Sequence, residues 1–262
     1  MDYVEARDAR NMPGMRLALT MNVCGPWSEA AKYIYQVKGI PFVPVAQYGG
    51  EENPDLVDWT GHGNAPVAVW EDETPRTGWA EILVQAERLV PEPALLPQDP
   101  AQRAQVFGIA NELCGEWGFG WCRRIMLFPP VDAPEETGGD GMKTLRARYG
   151  KTTNPYDEAP GRVVEILNFL RDVLEAQKAA GSDYLVGDGL TAADIYWAAM
   201  SQMLEPMPEE LNPITGPMRE VYGGIGPVVE QAKHQILLDH RDMIFDRHLQ
   251  LPLDFMDTRE AV

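Results

Sequence analysis

Tyr184-Leu185-Val186-Gly187-Asp188-Gly189-Leu190-Thr191-Ala192-Ala193-Asp194-Ile195 is the stretch from which the architecture can be read. Thr191 is a helix N-cap candidate, and Asp194 stands three residues on. That is a capping box with Asp in place of the usual Glu or Gln. Leu190 and Ile195 have the spacing of the accompanying hydrophobic staple. The run from Ala192 to Leu204 is apolar nearly all round, and a helix of that kind is buried. The stretch therefore predicts a capped central helix, whose cap is worth on the order of 1 kcal/mol.

Helical character extends through the whole second part of the chain. Ala101 to Phe128 predicts a long helix broken at its glycines, and Gly161 to Ala180 an amphipathic one with Val164, Leu167, Phe169 or Leu170, and Leu174 on one face. Between them, Pro129 to Pro160 is rich in Gly, Pro and charge and predicts a long loop or lid. Upstream the pattern alternates. It predicts a strand over Arg16–Asn22, a helix from Pro26 to Lys38 stopped by Gly39, an edge strand at Phe42–Val45 and a short helix over Asn53–Trp59. A third strand over Pro66–Trp70, a weak strand between Glu71 and Thr77 and a helix over Thr77–Leu89 follow. Pro91, Pro93, Pro97 and Pro100 mark a linker. The expected organisation is a flexible arm over 1–15, an α/β domain over 16–90, a linker over 91–100 and an all-helical domain over 101–262.

Composition narrows the partners. The net charge of −18 argues against nucleic acid and anionic membranes, both of which need basic patches. No apolar run approaches the roughly 18 residues of a membrane span, and no signal-peptide stretch opens the chain, so the expected location is cytoplasmic. Three cysteines, an odd number, argue against a disulfide framework. Cys114 and Cys122 fall in a helical stretch and read as buried apolar residues. The four histidines form no metal pattern, and His240 beside Arg241 reads as a solvated charge.

Chemistry concentrates at Val23-Cys24-Gly25-Pro26-Trp27-Ser28, where a strand gives way to a helix. Helix N-termini favour negative charge, so a thiol there is expected to have a lowered pKa. Cys24 is therefore either a thiolate nucleophile or a small residue closing the strand. Ser28 either hydrogen-bonds a bound thiolate or caps the first helical turn. Asn22 either reaches the same site from the strand end or serves a turn. Trp27 is either a pocket wall or a packing residue.

Three features in order resemble a cytosolic glutathione transferase over roughly Arg16 to Asp254. They are the Pro26-Trp27-Ser28 helix start with its Lys38-Gly39-Ile40 end, Ala65-Pro66-Val67 before a strand, and Leu185-Val186-Gly187-Asp188 followed by Leu190-Thr191-Ala192-Ala193-Asp194. The resemblance implies an α/β thioredoxin-like N-terminal domain, an all-α C-terminal helical bundle and a homodimer. It implies glutathione as cosubstrate. A cis Pro66 would present the backbone of Ala65 to the cysteinyl part, and Thr77, Gly78 and Trp79, with Arg76 beside them, would hold the glutamyl end. It also implies an electrophile pocket lined by Trp27, Trp117 and Trp121, with Arg123 and Arg124 attracting an anionic substrate. Trp117 and Trp121, at i and i+4, would share a helix face within an aromatic cluster that includes Phe119 and Phe128; core packing is the other reading of that cluster.

The chain departs from the family twice. Gly25 holds the place of the serine or cysteine before the helix-start proline, and Gly78 and Trp79 hold that of a Glu/Asp-Ser pair. Two functions stay open: a glutathione transferase acting on a small hydrophobic electrophile, with a Cys24-based thiol transferase as its variant, and a non-catalytic ligand-binding or interaction protein.

Overall fold

The apolar run Met15–Thr20 becomes the central strand β1, because it is the segment whose two faces are both covered. It pairs in parallel with β2 (Phe42–Gln47) and antiparallel with β3 (Val67–Trp70), in the order β2-β1-β3. This is a computed structural model, and it describes residues 1–127 and 156–259. Alternation along the strands sends Ala18, Val45, Val67 and Val69 into one cluster with Ala6, Ala9 and Leu56. Those last three come from α1 (Ala6–Ala9) and α3 (Pro54–Thr60). On β1 also packs α2 (Pro26–Val37), which in turn packs on α4 (Trp79–Leu89). Gly39, at φ +64°, ends α2 in the left-handed conformation that glycine adopts without strain.

The first fifteen residues, expected as a loose arm, are ordered instead. Val4 N–H donates to Pro44 O and Val4 O accepts from Ala46 N–H, both at 2.9 Å, along the outer edge of β2. Tyr3 and Ala9 are buried. An open strand edge leaves backbone groups unpaired, and the arm satisfies them. The weak strand expected between Glu71 and Thr77 is a single bridge from Ala68 to Arg76. The proline-rich stretch is tied down by Lys38, whose buried ammonium donates to Glu87 (2.6 Å), Pro91 O (3.0 Å) and Pro93 O (2.8 Å).

The chain forms two compact units: Met1–Leu95 with Pro208–Ile214 and Leu249–Val262, and Leu96–Met207 with Thr215–His248. The two returning segments of the first unit cover α2, which is why Glu29, Lys32 and Tyr33 are buried along with its apolar residues. Lys32 donates to Glu29 (2.6 Å) and to Asp254 O (2.8 Å), and Tyr33 to Gln250 O (3.1 Å).

The second unit holds α5 (Pro100–Cys114), α6 (Phe119–Leu127), α7 (Ala159–Ala179), α8 (Ala192–Met200), α9 (Gly216–Gly223), α10 (Gly226–Glu230) and α11 (Gln235–His248). The single long helix expected over Ala101–Phe128 is two helices. At Gly118 a Cβ would lie 2.7 Å from Glu112 O, so only glycine makes this break. The lid expected over Pro129–Pro160, like Phe128, lies outside the described residues as far as 155. From Tyr156 the chain is helical.

The central helix α8 is buried on every side. Its cap carries more than the sequence pattern indicated. Asp194 accepts from Thr191 N, Thr191 Oγ1 and Leu185 N at 2.8 Å each, and pairs with His240 Nε2 at 2.9 Å. His240 is thus a buried partner of Asp194, not the solvated charge expected; the carboxylate 46 residues away supplies its hydrogen bond. Trp197, fully buried, donates its indole N–H to Leu237 O (2.9 Å) and meets Phe119 edge-on. No described helix is long and apolar enough to cross a membrane.

Candidate functional site

Three backbone features of the first unit converge where β1 ends. The β1–β3 pairing ends at Ala18 and Val67, and Ala65-Pro66 leads into β3 at that same end of β1. The Ala65–Pro66 bond is cis, as the resemblance implies. Gly25, the N-cap of α2, approaches from the other side. A Cβ placed on it would lie 3.4 Å from the Thr20 side chain. Ser28 does not cap the first turn of α2. Its Oγ accepts from Thr20 N–H at 3.2 Å and lies 3.4 Å from Thr20 Oγ1, so it fastens α2 to the strand end.

Cys24 departs from its expectation. It is fully buried, with Asn212 Nδ2 3.9 Å from its sulfur. Burial pushes the thiol well above its ordinary range and Glu29 pushes it further, while Lys32 and Asn212 pull it back. The expected lowering fails because desolvation outweighs whatever the helix terminus supplies. Burial likewise raises the Glu29 carboxyl against the pull of Lys32. Asn22 sits in the left-handed region at φ +58° and belongs to a turn. Its N–H donates to Phe255 O (2.9 Å) and its Oδ1 accepts from Asp257 N (2.7 Å), so it holds the returning segment.

At the start of α4 the N-cap is Gly78. The carboxylate of Glu81 accepts from Gly78 N–H at 3.3 Å and Thr77 N–H at 3.4 Å. The chain thus places its own carboxylate where the glutamyl end of a ligand is expected. Thr77, Gly78 and Trp79 are half-buried. Beside them Arg76, Ala80, Glu81, Val84, Gln85 and Arg88 line a cavity of about 320 Å³. Arg88 is held bidentate by Glu73 at 2.6 Å.

In the second unit the shared helical face of Trp117 and Trp121 does not form. Trp117 stands in the turn before α6 at φ +60°, and only Trp121 is helical. Arg123 is fully buried and donates to Met203 O (2.7 Å) and Tyr222 O (3.1 Å), which makes it a structural tie and no attractor of anions. Arg124 stacks over the Trp121 ring, with its guanidinium carbon 5.7 Å from the ring centre. Cys114 and Cys122 are buried as expected, and burial pushes the Cys122 thiol up to about 12. Trp27 is half-buried.

Sequence reasoning passed over Thr20 and Glu81. Their signals were a hydroxyl ending an apolar strand and an acid three residues after a helix cap.

A model of the glutathione S-transferase C-terminal domain matches residues 128–222. No curated protein matches the chain by sequence. Among solved structures, a glutathione S-transferase domain-containing protein from Marinobacter aquaeolei is 17% identical, with 90% of this chain and 100% of that one covered and a TM-score of 0.62. A glutathione S-transferase from Methylobacterium radiotolerans, in complex with glutathione sulfonate, is 18% identical over 95% and 97% of the two chains, TM-score 0.61. A glutathione transferase family member from Pseudomonas fluorescens with two glutathione bound is 13% identical over 91% and 93%, TM-score 0.60. The protein therefore has the glutathione transferase fold, a thioredoxin-like unit with a helical one. Residues 128–222 match the C-terminal domain of the glutathione S-transferases.

Proposed function

We propose that this protein binds glutathione on its first unit and conjugates it to, or takes it from, a small hydrophobic electrophile. The observation that carries this reading is the arrangement of the first unit, in which Ala65-Pro66 leads into β3, β3 pairs with β1, and Gly25 at the N-cap of α2 lies against Thr20 at the end of β1. There the Ala65 backbone meets the cysteinyl part of glutathione, and the start of α2 receives the sulfur. Two of the similar structures contain glutathione or glutathione sulfonate, which supports the ligand. The N–H groups of Thr77 and Gly78 already donate to one carboxylate, that of Glu81, and would donate to the glutamyl one in its place. Trp27 and Trp121 are the aromatic candidates for the electrophile, and the active form is a homodimer. A nucleophilic Cys24 is not part of this reading, since burial holds its thiol neutral.

A second reading, a ligand-binding protein without turnover, is favoured by the side-chain-free Gly25 and by Glu81 at the start of α4. Calorimetry with glutathione on wild type and Cys24→Ala, followed by turnover of activated aryl halides, separates the two. Binding in both proteins within about twofold, with turnover, is the expected result. Binding without turnover selects the second reading. Absence of binding in the wild type overturns the first.

A further inference from the structure

Gly25 brings no side chain to the N-cap of α2, and the group that reaches this place is the side chain of Thr20. A Cβ built on Gly25 would lie 3.4 Å from Cβ and from Oγ1 of Thr20, and 3.6 Å from Oγ of Ser28. Ser28 is 2% exposed, whereas Thr20 is only half-buried, so the threonine is the more accessible of the two hydroxyls. On its other side, the Thr20 methyl lies 3.4 Å from where a Cβ of Gly49 would be. Ala65 lies two residues before Val67, the partner of Ala18, at the same end of β1 as Thr20.

One arrangement of the protons frees the Thr20 hydroxyl. The Thr20 N–H donates to Ser28 Oγ, so one lone pair of Ser28 is taken. The two hydroxyls lie 3.4 Å apart. With Ser28 donating across that gap, Thr20 Oγ1 accepts and its own O–H turns outward. A hydroxyl that accepts one hydrogen bond donates a stronger one.

We propose that Thr20 is the catalytic hydroxyl of this protein. Its O–H donates to the sulfur of the bound thiol, and Ser28 is the positioning residue behind it. The inference rests on the glutathione reading above and names the side chain that works in place of the missing one at Gly25. The thiol proton leaves to water and the threonine proton stays on its oxygen. A hydrogen bond made to the charged form favours that form and lowers the thiol pKa.

The test is the ultraviolet absorption of the thiolate, recorded against pH with glutathione bound to wild type, Thr20→Val and Thr20→Ser, with calorimetric affinities on the same samples. Valine keeps the shape and removes the hydroxyl. The ionised fraction of bound thiol at neutral pH is expected to fall at least about tenfold in Thr20→Val. Affinity for the protonated thiol is expected to stay unchanged, and Thr20→Ser to titrate like wild type. Thr20→Ala gives the same reading should the valine variant fail to fold. A wild-type titration in Thr20→Val overturns the inference and leaves glutathione binding standing. So does a serine variant that behaves like valine, because the methyl contact would then be what matters. Absence of glutathione binding in the wild type overturns the inference together with the reading beneath it.

Discussion

The starts of α8 and α4 use the same device under opposite conditions. Each has a carboxylate in its first turn that reaches back over the N-terminal backbone, Asp194 in one and Glu81 in the other. Asp194 is fully buried and gathers four partners at 2.8–2.9 Å. Glu81 is exposed and accepts two N–H groups at 3.3 and 3.4 Å. Water replaces the second set of bonds at little cost and cannot reach the first. The buried cap therefore specifies the fold, and the exposed one can be exchanged for a ligand.

The largest expected effect tests the buried end. Asp194→Ala leaves His240, Thr191 and Leu185 N–H without their carboxylate and should cost about 3–5 kcal/mol in urea unfolding. A loss below about 1 kcal/mol would mean that the two caps do not differ in kind. The exposed end predicts the reverse. Glu81→Ala should change stability by no more than about 1 kcal/mol while tightening glutathione several-fold, because a competing anion has gone from the helix terminus. Weaker binding would instead make Glu81 a direct ligand contact.

The smallest effect sharpens the picture around Asp194. His248 bonds Tyr184 Oη at 2.9 Å. Burial lowers its pKa below the ordinary imidazole value, with Asp194 opposing and Arg247 adding to the fall. The unfolded chain then binds the proton more tightly than the native one, so protonation favours unfolding. Stability is full above the unfolded value of about 6.5 and declines as pH falls toward the lowered native value. Thermal melts from pH 8 to 5 should show this decline in wild type and a shallower one in His248→Gln. Parallel slopes would remove His248 from the account.

What could be read from the sequence divides by distance along the chain. The α8 cap was legible because Thr191, Asp194, Leu190 and Ile195 fall within six residues. His240 was not, because its partner lies on another helix. The helix start at Pro26 was legible from its proline, yet the state of Cys24 depends on Asn212 and on burial contributed by returning segments. Helical spacing alone set Trp117 and Trp121 on one face, and the left-handed turn between Gly115 and Gly118 removed it. Thr20 read as one residue within a strand, since nothing local shows that Gly25 folds back against it.

The discontinuity of the first unit has a consequence for biosynthesis. Residues 1–95 emerge from the ribosome before the segments that complete them, Pro208–Ile214 and Leu249–Val262. At ordinary elongation rates the delay is on the order of ten to thirty seconds. Until then the outer face of α2, with the Glu29–Lys32 pair and the thiol of Cys24, lacks its cover. The nascent chain therefore carries an open seam until the segment from Leu249 is made, and that segment closes it.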